Sequence, residues 1–178
     1  MSNQNAYSSE GQPLEIERKY LIRFPDLPGL LATYDCSRLE ITQVYLRGKV
    51  RIRETIENGR AVYHRTEKRD ISNVTRIENE QEITAEEYRS LLEDADPTRH
   101  PIRKTRFRLP YASHCLEIDV YPFWSDIAIM EVELSSEDEA ISFPPEISII
   151  REVTDEPQFR NSSLALNCST SSFSHSVE

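Results

Sequence analysis

Six pairs of like-charged residues, each pair two positions apart, carry the most chemistry in the chain. Glu15/Glu17, Glu80/Glu82, Glu117/Asp119 and Glu131/Glu133 are acidic; Arg51/Arg53 and Lys104/Arg106 are basic. In an extended strand, residues i and i+2 project from the same face about 6.6 Å apart. A surface shaped only for solubility intersperses its signs, so same-sign pairs call for something of opposite charge between them. Carboxylate pairs supply the oxygen donors that hard divalent cations take. Arginine and lysine pairs, helped by Lys19 and Lys68, suit phosphate oxygens, which accept charge-assisted hydrogen bonds. Any one pair is ordinarily a solvated strand face. The repetition of the pattern points to a shared site.

The elements that must hold these pairs are strands. Apolar residues alternate with the charged ones: Leu14, Ile16, Tyr20 and Ile22 against Glu15, Glu17 and Lys19; Leu116, Ile118 and Val120 against Glu117 and Asp119; Val132 and Leu134 against Glu131 and Glu133. Period-two patterning predicts strands over 14–22, 41–47, 49–57, 60–68, 74–83, 102–109, 115–121 and 127–134. Gly48 and the Asn58-Gly59 pair mark hairpin turns. Thr84 with Glu87 reads as a capping box opening a helix to about residue 93. Ser135–Ala140 reads as a short helical turn, Pro144-Pro145 as a loop, and a last short helix is expected over 158–164. About eight strands, mostly antiparallel in sequence, with two or three helices predict a mainly β (α+β) fold. The expectation is a closed eight-stranded antiparallel β-barrel with a few flanking helices. With charges inward, such a barrel is a polar tunnel.

Composition sets the outer limits. The chain has 178 residues, 31 acidic and 21 basic, for a formal charge of −10. That length suits one domain. The expected division is a loose, polar segment over 1–12, a barrel domain over 13–166 and a Ser-rich tail over 167–178. The negative balance disfavours long nucleic acids and acidic membranes, which are held by cationic patches. No apolar run approaches the roughly 18 residues of a membrane span, and no signal peptide is visible. Three widely spaced cysteines suit a reducing, cytoplasmic setting and match no zinc pattern. With 4 glycines, no glycine-rich phosphate loop fits the usual spacings, so phosphate binding falls to side chains. The four histidines, His64, His100, His114 and His175, are scattered and read as surface residues. Tyr121 and Trp124 read as packing residues.

Glu15-Ile16-Glu17-Arg18-Lys19 resembles the ExExK signature of the CYTH superfamily, the triphosphate tunnel metalloenzymes. The ordered series continues through Tyr45-Leu46, Arg51-Ile52-Arg53, Thr66-Glu67-Lys68, Arg76 with Glu78, Glu80 and Glu82, and Lys104-Thr105-Arg106. It ends with Glu117-Ile118-Asp119, Glu131-Val132-Glu133 and Arg151-Glu152-Val153-Thr154. The resemblance spans about 14–166 and implies a barrel open at both ends. It implies that Lys19, Arg51, Arg53, Lys68, Arg76, Lys104, Arg106 and Arg151 hold triphosphate oxygens. Glu15, Glu17, Glu80, Glu82, Glu117, Asp119, Glu131 and Glu133 would hold one or two Mg²⁺ or Mn²⁺ ions. Lys19 and Tyr45 occupy positions where some members pair a catalytic lysine with a tyrosine. The strand ending at Lys68 lacks the shorter Leu-Thr-x-Lys pattern of many bacterial relatives, and Arg151 stands where lysine is frequent.

The expected activity is metal-dependent hydrolysis of the terminal phosphate of inorganic triphosphate or of a small nucleoside or thiamine triphosphate. The alternatives are an adenylate cyclase of the same superfamily and a non-catalytic module that binds polyphosphate or nucleotide. The expected partner is the small triphosphate, and the expected state is a monomer or homodimer.

Overall fold

The computed structural model describes residues 6–7, 13–48, 50–70 and 75–167. Its strands are β1 (Ala6–Tyr7), β2 (Pro13–Arg23), β3 (Ser37–Tyr45), β4 (Val50–Glu57), β5 (Arg60–Asp70), β6 (Thr75–Ile83), β7 (Ile102–Tyr111), β8 (His114–Val120), β9 (Ile127–Leu134) and β10 (Ile149–Glu152). Three helices join them: α1 (Leu27–Thr33), α2 (Ala85–Leu91) and α3 (Asn161–Asn167). Among the described residues, no helix is long and apolar enough to cross a membrane.

Eight of the strands pair antiparallel in a circuit, β2-β6-β5-β4-β3-β7-β8-β9, and β9 pairs again with β2. The joints are unequal. β2 and β9 run together from Ile16–Leu134 to Arg23–Ile127, whereas among the described residues β2 and β6 pair from Leu14–Ile77 to Ile16–Thr75. Beyond that short seam, the edge of β2 is taken by β10, with Glu152 opposite Tyr20 and Arg151 opposite Leu21. The Val153 amide donates to the Lys19 carbonyl at 2.8 Å, and the Lys19 amide donates to Thr154 Oγ1 at 3.0 Å. β10 and the residues after it therefore satisfy backbone groups that the splayed seam leaves open.

Register fixes which side chains share a face, because directly paired residues project to the same side of a sheet. Tyr20, Ile22, Phe107, Leu109, Leu116, Ile118, Met130 and Val132 form the outer apolar face and are buried. Leu30 of α1 and Ile147 cover it, with Ile141 and Phe143 packed alongside. On the other flank, Val44, Leu46 and Ile52 are covered by Tyr88 of α2. The capping box that starts α2 is formed: Glu87 N–H donates to Thr84 Oγ1 at 3.2 Å, and Thr84 N–H to Glu87 Oε2 at 2.7 Å. Asn58 and Gly59 both take positive φ, 51° and 79°, as a tight primed hairpin turn requires.

Several boundaries differ from those expected. β3 begins at Ser37 rather than near 41, α1 and β10 add elements, and the last helical region splits into a 3₁₀ turn (Pro157–Phe159) followed by α3. The stretch after Ser135 is a turn without a helix. Ala6–Tyr7, inside the segment expected to be loose, pairs with Pro13 and Leu14. The Ser-rich tail beyond 167 lies outside the described residues.

Candidate active site

The inner face can be followed strand by strand through the register. Glu17 pairs with Glu133 and Lys19 with Glu131; Glu131 pairs with Glu117, and Asp119 with Arg106. Lys104 pairs with Ile41, and Gln43 with Arg53 on the other side of β3. Tyr45 pairs with Arg51, Arg53 with His64, Thr66 with Glu80, and His64 with Glu82. Positions 68 with 78, 70 with 76, and 76 with 15 complete the circuit. The side chains of Glu15, Lys68, Arg76 and Glu78 lie outside the described residues. Every other expected site residue except Arg151 lies on this one face.

Two ion clusters occupy it. In the first, the Arg106 guanidinium donates to Asp119 from Nε and Nη2, both at 2.7 Å, and to Glu131 Oε2 at 2.5 Å. It also reaches Glu117. Lys104 Nζ bonds the same Asp119, and Lys19 Nζ lies 2.5 Å from Glu131 and 3.7 Å from Glu17. Asp119 is fully buried. In the second, Arg53 Nη2 donates to both oxygens of Glu80 at 3.0 Å, Thr66 Oγ1 donates to Glu80 at 2.9 Å, and Arg51 lies 3.8 Å away. The cations and carboxylates expected to hold phosphate and metal separately therefore hold each other here.

The electrostatics follow from this mutual burial. Burial opposes ionisation of Glu131, but Lys19, Arg106 and Lys104 outweigh it and hold the carboxyl well below the usual range. Glu80 is lowered in the same way: burial opposes, while Arg53, the Thr66 hydroxyl, His64 and Arg51 prevail. Burial and the neighbouring Arg106 push Lys104 down to about 8, against the pull of Asp119 and Glu131. Burial raises the Tyr45 phenol, against Arg51, Lys19 and Arg99. Those opposing cations bring Tyr45 into the electrostatic neighbourhood of Lys19.

One end of the interior is apolar. Leu21, Ile129 and Tyr121 continue the inner faces of β2, β9 and β8 beyond their charged pairs, and Ile102 continues that of β7. They pack with Val153, Phe159 and α3 residues Leu164 and Ala165. This plug fills the interior along β2, β7, β8 and β9, where a barrel open at both ends was expected. Tyr121 packs on Trp124 edge-on at 5.1 Å and donates to Asn161 at 2.6 Å, a packing role. Toward the opposite end, a cavity of about 260 Å³ is lined by Leu39, Ile41, Val62, His64, Arg53 and Arg106, with Arg60 and Arg108 among its other walls.

Three placements depart from the sequence reading. The His114 side chain, read as a surface group, is buried with its Nε2 3.1 Å from Glu139. His64 is on the inner wall, its Nε2 3.9 Å from Glu80, because it shares the parity of Thr66 and Lys68. Arg151 stands apart at the surface on β10, donating to Glu156 at 2.9 and 2.8 Å with its guanidinium over the Phe159 ring. Gln43 was not singled out from sequence, and its parity with Tyr45 was the available signal.

The donor set fits a hard divalent cation. Glu17 opposite Glu133 and Glu117 opposite Glu131 are directly paired like charges, which destabilise a sheet unless a cation lies among them. Here lysine and arginine serve in part. Among the described residues, no three acidic, histidine or cysteine side chains already converge in a metal-holding group.

An antiparallel barrel with acid and base walls facing a common interior is the tunnel architecture. No protein-family model and no curated protein matches the chain. Solved structures do. Two crystal structures of NE1496, one described as a hypothetical protein and one as an inorganic triphosphatase, are 27% and 26% identical to it, each with a TM-score of 0.52. They align over 85% of this chain and 97% and 94% of theirs. PH1819 from Pyrococcus horikoshii shares the fold, with a TM-score of 0.55 at 22% identity over 70% of this chain and 80% of its own. The likeness to NE1496 supports the resemblance to the CYTH, or triphosphate tunnel, superfamily.

Proposed function

We propose that the protein is a metal-dependent triphosphatase that removes the terminal phosphate of inorganic triphosphate or a small organic triphosphate. The observation that carries this reading is the register. It lines one interior with Lys19, Arg51, Arg53, Lys104 and Arg106 facing Glu17, Glu80, Glu117, Asp119, Glu131 and Glu133. The likeness to an inorganic triphosphatase supports it.

A triphosphate repels nucleophiles through its own charge, and phosphoryl transfer is catalysed chiefly by positioning and charge stabilisation. Arg53 and Arg106 present planar forks that match phosphoryl oxygens two at a time. Lys104 and Lys19 add point charges deeper in the interior. Lys19, next to Tyr45 in the field of the site, donates to a non-bridging oxygen as negative charge develops there. Glu15, Glu17 and Glu133, with Glu117 and Glu131 beside them, would hold Mg²⁺ or Mn²⁺, which would supply charge neutralisation and Lewis acidity toward an attacking water. The carboxylates of this wall would orient the attacking water and accept its proton.

The test is phosphate release from tripolyphosphate with Mg²⁺ or Mn²⁺. Arg53→Ala and Glu133→Gln should each lower the rate by about 100-fold or more, the scale of losing one transition-state contact. Equal rates in wild type and both variants refute the assignment. A parallel incubation with ATP separates hydrolysis, which yields ADP and phosphate, from cyclisation, which yields a cyclic nucleotide and pyrophosphate. Tight binding without turnover favours the non-catalytic reading.

A further inference from the structure

Gln43 is a neutral side chain in a wall of ions. It is 1% exposed, and its amide Nε2 is buried with no hydrogen-bond partner among the described residues. It projects to the inner face, directly paired with Arg53 on β4 and with Ile102 on β7. Lys104 and Arg51 lie at the adjacent same-face positions, reached through Ile41 and Tyr45. It is also the last polar residue of β3 before Tyr45, which packs against the apolar plug.

A buried donor without an acceptor is disfavoured, and native structures retain few of them. An apolar side chain of the same shape would remove the penalty. The surrounding cations are all donors, so none of them can accept from Nε2. The acceptor that satisfies an amide donor and its cationic neighbours together is an oxyanion with several oxygens. We infer that Gln43 is a substrate-contacting residue whose Nε2 donates to a phosphoryl oxygen also held by Arg53. This rests on the triphosphate reading and deepens it, since it assigns a neutral donor to the inner end of the polyphosphate site. An uncharged donor adds a directional contact there without adding to the repulsion among Arg51, Arg53 and Lys104.

The test replaces Gln43 with methionine, which keeps length and flexibility but has no N–H. Calorimetry measures tripolyphosphate binding to wild type, Gln43→Met and Arg53→Ala, and a thermal melt measures each ligand-free protein. The expected result has opposite signs: Gln43→Met melts at or above the wild-type temperature, yet binds tripolyphosphate about tenfold more weakly, the scale of one hydrogen bond to a charged group. Binding within twofold of wild type, while Arg53→Ala binds weakly, overturns the role of Gln43 and leaves the triphosphate reading standing. A large drop in ligand-free melting temperature also overturns it, because the amide would then be holding the barrel together. Absence of tripolyphosphate binding in folded wild type removes the reading itself, and this inference with it.

Discussion

Asp119 is the carboxylate on which the two ends of the first cluster depend, and replacing it by asparagine isolates its charge. The side chain is fully buried, accepts two bonds from Arg106 at 2.7 Å and is bonded by Lys104. Removing one partner of a buried ion cluster costs about 3–5 kcal/mol, because the remaining charges are left without compensation. Arg106 retains Glu131 and Glu117, so the exposed deficit falls on Lys104. That lysine already sits near 8 and can shed its proton, which caps the loss toward the lower end of the range. At roughly 2–4 °C per kcal/mol for a chain of this size, a loss near ~3 kcal/mol should lower the melting temperature of Asp119→Asn by about 6–12 °C. The sign with pH follows from Lys104. Below its folded value the lysine is charged and the loss is full; above it the lysine is neutral and the loss shrinks. Thermal melts of both proteins at pH 6 and pH 9 read this directly. A fall smaller than about 2 °C at pH 6, or an equal fall at both pH values, refutes the assignment of Asp119 as the counter-charge of Lys104.

Other outcomes follow from the same structure. Tripolyphosphate binding measured without metal should weaken as pH rises through about 8, where Lys104 loses its charge, and Lys104→Met should lack that limb of the profile. Glu131 is held ionised below its unfolded value, so its contribution to stability is present above about pH 4.5 and is lost as pH falls through the folded value. Acid titration of Glu131→Gln should show a flatter decline than wild type. On the outer face, Leu116→Ala and Ile118→Ala should each cost about 2–5 kcal/mol in denaturant unfolding, since both are fully buried under α1 and its flanking segment.

Much of the barrel was legible because a half-buried strand writes its two faces as alternation. β2, β7, β8 and β9 carry apolar residues at one parity and charges at the other, and these strands hold most of the site. α1 escaped notice because Leu27-Pro28-Gly29-Leu30 offers a proline and a glycine where a helical period would have to be read. β10 escaped because all four of its residues are exposed, leaving no alternation to find. The plug was hidden in the same pattern that revealed the site. Glu17, Lys19 and Leu21 share one parity, as do Glu133, Glu131 and Ile129, so the inner face changes from charged to apolar along each strand. The like-charged pairs mark only the polar stretch of each strand, and the apolar residues beyond them look like ordinary core. His64 went the same way: its parity with Thr66 marked it as inward, while its isolation from other histidines suggested the surface. Ion pairing between the acid and base walls could not be read at all, because it joins residues on strands adjacent only after the chain has closed on itself.

That pairing has a thermodynamic consequence. Each cation that turns toward a phosphate leaves a carboxylate without its counter-charge, and each carboxylate that takes up a metal releases a cation. Lys19 and Arg106 converge on Glu131, so they cannot leave it for a polyanion without raising its affinity for a divalent ion. Under the proposed function, occupancy of either kind of site would thus favour the other by the same factor, as reciprocity of binding free energies demands.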